Sequence, residues 1–341
     1  MAVETAVEPR CPVFKACGGC AYQDRSYPDE LALKEREVTA LLTERAGLRP
    51  DAFDSIVASP SDYGYRHRLD LTFKRTKNGP VMGFSTQDRF HVLEIGSCPI
   101  AREEVSSFIP RLRREAEAKI PPEYRTASLV VKTGDDGRVR WGGIGRRSLE
   151  LEPEDYLWTE ILGRRVHYSL DTFFQSNLGI LPLVFGRLDA LVDWDSVHLL
   201  GDLYGGVGLF SVVLAPRVRR VVLVESYGPS VRVARHNFEA SGIWNGEIRE
   251  GRVEDRVAEL DLLTEGKKVY IVDPPRAGLG LALEALARSR ADVLLYLSCN
   301  PESLAEDLRA LLDAGWRAER VIPFDFFPRT RHVETLVKLT R

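Results

Sequence analysis

Cysteine offers the most chemistry in this chain, and its five copies fall into two groups. Cys11, Cys17 and Cys20 cluster in Cys11-x5-Cys17-Gly18-Gly19-Cys20, and Cys98 follows much later in Gly96-Ser97-Cys98-Pro99. Three thiols in a tight glycine-containing loop plus one distant thiol can enclose a single metal site. Four-thiolate zinc and a [4Fe–4S] cluster both match that ligand set. Zinc ribbons usually pair two close Cys-x-x-Cys units. Here there is one such unit and a lone fourth thiol beside a proline, which leans toward iron–sulfur. Cys299 stands apart in Leu297-Ser298-Cys299-Asn300-Pro301, at the end of an apolar run. Most free cysteines are small buried hydrophobes. The polar neighbours Ser298 and Asn300 describe a turn instead, where a thiol can serve as a nucleophile.

A glycine-rich stretch supplies a cofactor site. Asp202-Leu203-Tyr204-Gly205-Gly206-Val207-Gly208-Leu209-Phe210 follows a strand pattern and precedes a helical one. Glycines there let the backbone turn sharply and approach a ligand. Glu225 ends the next strand, where a carboxylate can accept both hydroxyls of a ribose. Dinucleotides and S-adenosylmethionine both use this pattern. The other strand ends narrow the choice, because they carry Asp273-Pro274-Pro275-Arg276 and Cys299. Hydride transfer has no need of a strand-end cysteine, whereas methyl transfer to a poor carbon nucleophile does. Carbon 5 of uracil is such a carbon. A thiolate adding to carbon 6 pushes electron density onto carbon 5, and a base must later remove the carbon 5 proton so that the thiol can leave. Cys299 fits the first role. Glu334, in Arg331-His332-Val333-Glu334-Thr335, fits the second, although an edge-strand carboxylate paired with its arginine neighbours is the plainer reading. Asp273 could hold the base edge or the cofactor.

The elements that must position these groups differ between the two halves of the chain. Glu30 to Ala46 has helical spacing and stops at Gly47. From about Ser55 to Val166, alternating runs such as Leu69 to Lys74, Ser128 to Lys132 and Arg138 to Trp141 are separated by turns such as Asn78-Gly79, which predicts a mainly antiparallel β segment. Arg102 to Ala118 is expected to be a helix within it. After about Leu170 strands and helices alternate, with strands ending at Leu203, Glu225, Asp273 and just before Cys299. This predicts a parallel α/β sheet covered on both faces. The tail, Ala318 to Arg341, reads as two strands forming an antiparallel pair at one edge.

Composition bounds the class. With 341 residues, 44% hydrophobic and 28% charged, the chain is long enough for two domains. No stretch approaches the roughly 18 apolar residues of a membrane span. The first ten residues lack an apolar signal core, and an odd cysteine count points to a reducing, cytoplasmic setting. The net charge of −3 does not advertise nucleic-acid binding. Local basic clusters exist at Arg66-His67-Arg68 with Lys74-Arg75, Arg111 to Arg114, Arg138 to Arg147, Arg164-Arg165, Arg217 to Arg220 and Arg329 to Arg331. Each alone reads as a solvated face, but together they could track a phosphate backbone.

The chain resembles the RNA 5-methyluridine methyltransferases. The resemblance runs from Cys11 to the C-terminus and rests on the cysteine motif with Gln23, Gly64-Tyr65-Arg66, Phe173-Phe174-Gln175-Ser176-Asn177, Asp202 to Gly205, Asp273 to Gly278, Ser298 to Pro301 and His332 to Thr335. It implies Cys299 as nucleophile and Glu334 as proton-abstracting base. It also implies contacts from Gln175, Tyr204, Glu225 and Asp273 to S-adenosylmethionine, with Gln175 and Asp273 near the reacting base. The target uridine would be flipped into the pocket. Cys11, Cys17, Cys20 and Cys98 match the iron–sulfur members. The expected fold is a Rossmann-like α/β methyltransferase domain (169–341) preceded by a β-rich RNA-binding domain (50–168) that carries Cys98, and by a cysteine segment with a helix (1–49).

Two departures stand out. Leu209 replaces a polar cofactor-contacting residue of several relatives, and the chain starts almost at the cluster, without the small β-barrel of many iron–sulfur members. Cluster-bearing members commonly modify 23S ribosomal RNA, so that substrate is expected, with the transfer-RNA T-loop as the alternative. No protein partner is evident. A 5-methylcytosine enzyme would place a second cysteine where Asp273 to Arg276 stand, and an exocyclic-amine enzyme would place an aromatic after Pro275. A non-catalytic iron–sulfur RNA-binding protein would not need the intact glycines, Cys299 and Glu334.

Overall fold

The structure is a computed structural model that describes residues 6–86, 91–144 and 153–341. Residues 1–5, and Arg146 and Arg147 of the 138–147 basic run, lie outside the described residues.

Helix α1 (Tyr27–Ala46) starts three residues before the expected Glu30, because Ser26 accepts the Asp29 N–H at 3.2 Å and Pro28 fits the first turn. It ends at Gly47 in the left-handed region. Five strands then form an antiparallel sheet in the order β3-β2-β1-β4-β5, made of β1 (Arg68–Thr76), β2 (Gly79–Ser85), β3 (Val92–Glu94), β4 (Thr126–Thr133) and β5 (Val139–Ile144). Leu69, Leu71 and Phe73 of β1 alternate inward and meet Ile109, Leu112 and Ala116 of α2 (Glu103–Lys119). Cys98 is buried in this same core. Each of the leucine, isoleucine and phenylalanine side chains so buried contributes about 1.5–3 kcal/mol.

The hairpin β6 (Leu157–Ile161) and β7 (Arg164–Tyr168) falls within the segment expected to be the central domain. Its Leu157, Ile161, Val166 and Tyr168 pack instead into the core of the C-terminal half.

That half is a seven-stranded sheet of order β10-β9-β8-β11-β12-β14-β13. Its strands are β8 (Leu199–Leu203), β9 (Val221–Glu225), β10 (Gly246–Glu250), β11 (Lys268–Val272), β12 (Val293–Ser298), β13 (Arg317–Phe324) and β14 (Glu334–Thr340). Helices α3 (Leu181–Leu191), α4 (Leu209–Leu214), α5 (Gly228–Ala240), α6 (Val253–Asp261), α7 (Ala282–Arg288) and α8 (Pro301–Asp313) connect them. The central parallel strands β8, β9, β11 and β12 are mostly apolar, as strands covered on both faces require, the edge strand β10 is polar, and a separate core lies on each face. The chain leaves β8 toward β9 on one side and returns to β11 on the other, so the strand order reverses beside β8. The two tail strands do pair antiparallel, but β14 sits inside the sheet and only β13 is at the edge.

The N-terminal segment is not a separate unit. Val38, Leu42 and Ala46 of α1 join the core that contains Leu304, Leu308 and Leu311 of α8. Among the described residues, no helix is long and apolar enough to cross a membrane.

Candidate functional site

The expected site residues converge on one end of the C-terminal sheet. Asp273 follows β11, Cys299 follows β12, and both strands are parallel, so both groups emerge at the carboxyl edge. Glu334 reaches that edge from the opposite direction. Strand β14 runs antiparallel to β12 and their last pair is Ser298 with Thr335, so Cys299 and Glu334, the residues next to that pair, lie near each other. Gln175 arrives from the loop before α3 and donates its Nε2 hydrogen to Asp273 Oδ2 at 2.8 Å. Asn300 caps α8 through its side chain and donates to the Arg276 carbonyl at 3.0 Å, which ties the cysteine turn to the Asp273–Gly278 loop. Gly278 (φ +82°) is required there, because a Cβ would stand 2.5 Å from Asp307 Oδ2. That oxygen accepts the Leu279 N–H and the Tyr296 hydroxyl.

Burial dominates the electrostatics. The Cys299 thiol is pushed up to about 11 by burial and by the Glu334 and Asp273 carboxyls, against a lowering by Arg276. Glu334 is 2% exposed and is held well above the carboxylate range by burial and by Asp273. Its Oε1 has no hydrogen-bond partner among the described residues. Asp273 is raised to about 7 by burial and by Asp202, with the Gln175 bond pulling the other way. The site therefore holds acids ready to ionise when a cation or a polarised ring arrives.

The glycine loop builds the neighbouring pocket. Asp202, buried at the end of β8, accepts both the N–H (3.0 Å) and the hydroxyl (2.6 Å) of Ser211 in α4, which fixes the loop between them. At Gly205 a Cβ would meet Leu223 at 2.6 Å, so no side chain fits. Glu225 accepts the Gly206 N–H at 2.9 Å and the Ser226 and Tyr227 N–H groups at 2.7 and 2.6 Å. Its carboxylate thus faces a cavity of about 320 Å³ shared with Tyr204, Arg252, Glu254 and the Ala277–Leu281 loop. The Tyr204 hydroxyl donates to the Leu279 carbonyl at 3.1 Å, so the ring rather than the hydroxyl is available to a ligand. Leu209 is buried in the core and presents no side chain to this cavity.

The four remaining cysteines line one small cavity of about 20 Å³ with Gln23, Phe14 and Ile95. They are not an N-terminal unit, since Cys98 comes from the core of the β domain. Hydrogen-bond donors face the sulfurs: the Gly19 backbone faces Cys17, Gln23 faces Cys20, and the Ile100 and Ala101 backbones face Cys98. Burial and mutual repulsion nevertheless raise Cys20 to about 11. Among the described residues, no three His, Cys, Asp or Glu side chains stand close enough as they are to form a metal ligand set. The donor set itself suits a group of iron and sulfur, whose thiolate ligands commonly accept such N–H bonds.

Three contributors escaped the sequence reading. Arg276 is the cation beside Cys299 and Glu334. Asp202 orients the glycine loop, and its signal was a lone acid inside an apolar strand. His332, part of the His332 to Thr335 motif but given no role there, packs edge-on to Phe327 at 5.9 Å in the turn before Glu334.

The sequence model of the tRNA (uracil-5-)-methyltransferase family matches residues 153–341, more than half of the chain. The chain belongs to that family. It is an RNA uracil-5-methyltransferase. It is 28% identical over 380 residues to an uncharacterised RNA methyltransferase of Caldanaerobacter subterraneus, covering 96% of this chain and 84% of that protein. It is 28% identical over 361 residues to the 23S rRNA (uracil(1939)-C(5))-methyltransferase RlmD of Erwinia tasmaniensis, covering 98% and 82%. The crystal structure of the Pyrococcus abyssi tRNA (uracil-54, C5)-methyltransferase in complex with S-adenosyl-L-homocysteine superposes with a TM-score of 0.74 at 23% identity, over 96% of this chain and 86% of that one. The methyltransferase thus shares its fold across both halves, not only in the sheet that carries the family match.

Proposed function

We propose that this methyltransferase transfers a methyl group from S-adenosylmethionine to carbon 5 of a uridine in 23S ribosomal RNA, through a covalent link between Cys299 and the ring. The reading is supported by the β12–β14 register, whose last pair, Ser298 with Thr335, leaves Cys299 near Glu334, and by Asp273 at the adjacent strand end. S-adenosylmethionine supplies an electrophilic methyl group next to a positive charge. Glu225 and the Tyr204 ring would hold its adenosine end in the 320 Å³ cavity, and Asp273 with Gln175 would face its reactive end.

The chain's own groups then act in order. The Cys299 thiolate, favoured by Arg276, adds to carbon 6 and loads electron density onto carbon 5 and the ring oxygen. After methylation the Glu334 carboxylate takes the carbon 5 proton. The electrons of that C–H bond restore the ring double bond, and Cys299 leaves as thiolate.

The ribosomal reading draws on the RlmD relatives and on the cysteine set, whereas transfer RNA is favoured by the family description and by the P. abyssi neighbour. Incubating the purified protein with S-adenosylmethionine and unmodified transcripts of each RNA, followed by mass spectrometry of nucleosides, separates them. 5-Methyluridine is expected in 23S rRNA; its appearance only in tRNA would transfer the assignment.

Cys11, Cys17, Cys20 and Cys98 are proposed to hold a [4Fe–4S] cluster that joins the N-terminal segment to the β domain. Anaerobically purified protein should be brown, with about four iron and four sulfide per chain. Cys98→Ser should lose both and unfold at lower temperature. Zinc without sulfide in the wild type would overturn the proposal.

A further inference from the structure

The turn between β13 and β14 carries no atom that touches the ring in the reading above, yet it is tied down by groups from far away in sequence. Arg329 lies at its centre, 5% exposed and in the left-handed region (φ +69°). Its N–H donates to Glu30 Oε1 at 2.7 Å, and its carbonyl accepts the N–H groups of Ala21 (2.7 Å) and Tyr22 (3.1 Å). Its guanidinium donates to the Arg25 carbonyl at 2.9 Å, pairs with Asp62 and lies 4.8 Å over the Tyr63 ring. Lys34, fully buried, donates to Glu30 (2.6 Å), to Asp325 (2.7 Å) and to the Phe327 carbonyl (3.1 Å).

Such an arrangement is expensive to bury and permits one loop conformation. A non-glycine residue persists in left-handed backbone at a buried position only when its surroundings over-determine it. What is determined here is the entry of β14. The Thr330 hydroxyl donates to the Phe327 carbonyl at 2.8 Å, the His332 N–H donates to that hydroxyl oxygen at 3.2 Å, and two residues later Glu334 opens the strand. Ala21 and Tyr22 directly follow Cys20, so the same ties connect the cysteine segment to the turn.

We propose that Arg329 is a positioning residue for the elimination step, holding this turn so that the Glu334 carboxylate meets the carbon 5 proton. The inference rests on the reading of Glu334 as the base. In that step the C5–H bond breaks toward a Glu334 oxygen, its electrons re-form the C5–C6 double bond, and the carbon–sulfur bond breaks to return the Cys299 thiolate. Addition and methyl transfer precede it and do not use Glu334, so displacing the turn should slow the last step selectively.

Arg329→Gly suits the left-handed backbone and removes the guanidinium alone. Asp62→Asn, at the half-exposed end of the ion pair, weakens the same tie in a second way. The probe is a mixture of unmodified 23S rRNA and tRNA transcripts made with 5-tritiated uridine, in single turnover with the full-length protein. Methyl incorporation reports addition and transfer, and tritium release to water reports elimination. In Arg329→Gly, methyl incorporation should stay within about threefold of wild type while tritium release slows at least about tenfold, since a 1 Å misplacement of a reacting group has effects of this size. A denaturant-stable protein–RNA adduct should accumulate. Arg329→Lys should recover part of the release rate, and Asp62→Asn should show the same split in smaller measure. Equal slowing of both readouts, or no change in either variant, would overturn the proposal. Glu334→Gln in parallel separates the two failures. If it too releases tritium at the wild-type rate, the reading of Glu334 falls. If it blocks release while Arg329→Gly and Asp62→Asn do not, only the positioning role falls.

Discussion

Cys299→Ala is expected to lower 5-methyluridine formation by at least about 10⁴-fold, or about 5.5 kcal/mol of barrier at 1.36 kcal/mol per decade. The loss should be confined to chemistry. The cavity beside Glu225 is built by the glycine loop and the Ala277–Leu281 loop, so S-adenosylmethionine affinity, measured by calorimetry, should stay near wild type. No denaturant-stable adduct with RNA should form. Turnover at the wild-type rate would remove Cys299 from the mechanism. In the wild-type protein the same reasoning fixes a pH trend. Cys299, Asp273 and Glu334 are all raised above their ordinary values by burial. On the proposed reading addition needs the Cys299 thiolate and elimination the Glu334 carboxylate, so the single-turnover rate of release of methylated RNA should climb between about pH 6.5 and 9. A rate that falls over that range would contradict the thiolate mechanism.

Glu334→Gln is expected to separate methylation from release. A glutamine keeps the size of the side chain and removes its ability to accept a proton. Methyl incorporation should therefore reach about one equivalent per enzyme and stop, with the methylated RNA still attached to Cys299. Release should slow by about 10²–10⁴-fold, the usual contribution of a positioned general base. Gel electrophoresis under denaturing conditions reads the adduct directly. Full multiple turnover with no adduct would assign Glu334 a packing role. Its buried, unpartnered Oε1 argues otherwise, since leaving such an atom unpaired costs about 1–3 kcal/mol of stability.

Much of the fold was legible in the sequence because local rules carried it. The apolar runs at Val221, Val269 and Val293 could only be strands covered on both faces, and each ended on a polar residue that the structure places at the site edge. Helix α1 was legible from its stripe and from Gly47, although its start was missed by three residues because Ser26 and Pro28 form a cap that apolar spacing does not reveal. The β6–β7 hairpin was assigned by continuity with the preceding strands. Its true partner is decided by Tyr168 and Val166 packing into a core that starts at Phe174 and runs through the C-terminal sheet, and alternation along one strand carries no information about which sheet it will cover. The site was legible where residue type and strand end coincide, as at Asp273, Glu225 and Cys299. Arg276 was not, because an exposed arginine after two prolines looks like any surface charge until the Cys299 turn folds over it. The Lys34–Glu30–Asp325 network was invisible for the same reason. Its partners are separated by 291 positions, and each one alone is an ordinary helix or loop charge.

The interior position of β14 has a consequence for how the molecule is made. Strand β13 precedes β14 in the chain, yet its place in the sheet lies beyond β14, so until β14 is in place its backbone partners are those of the Phe53–Val57 segment on its other side. The parallel strands can assemble early during synthesis, but the carboxylate near Cys299 arrives only with the final strand. The sheet is closed, and Glu334 brought beside Cys299, only when β14 inserts between β12 and β13.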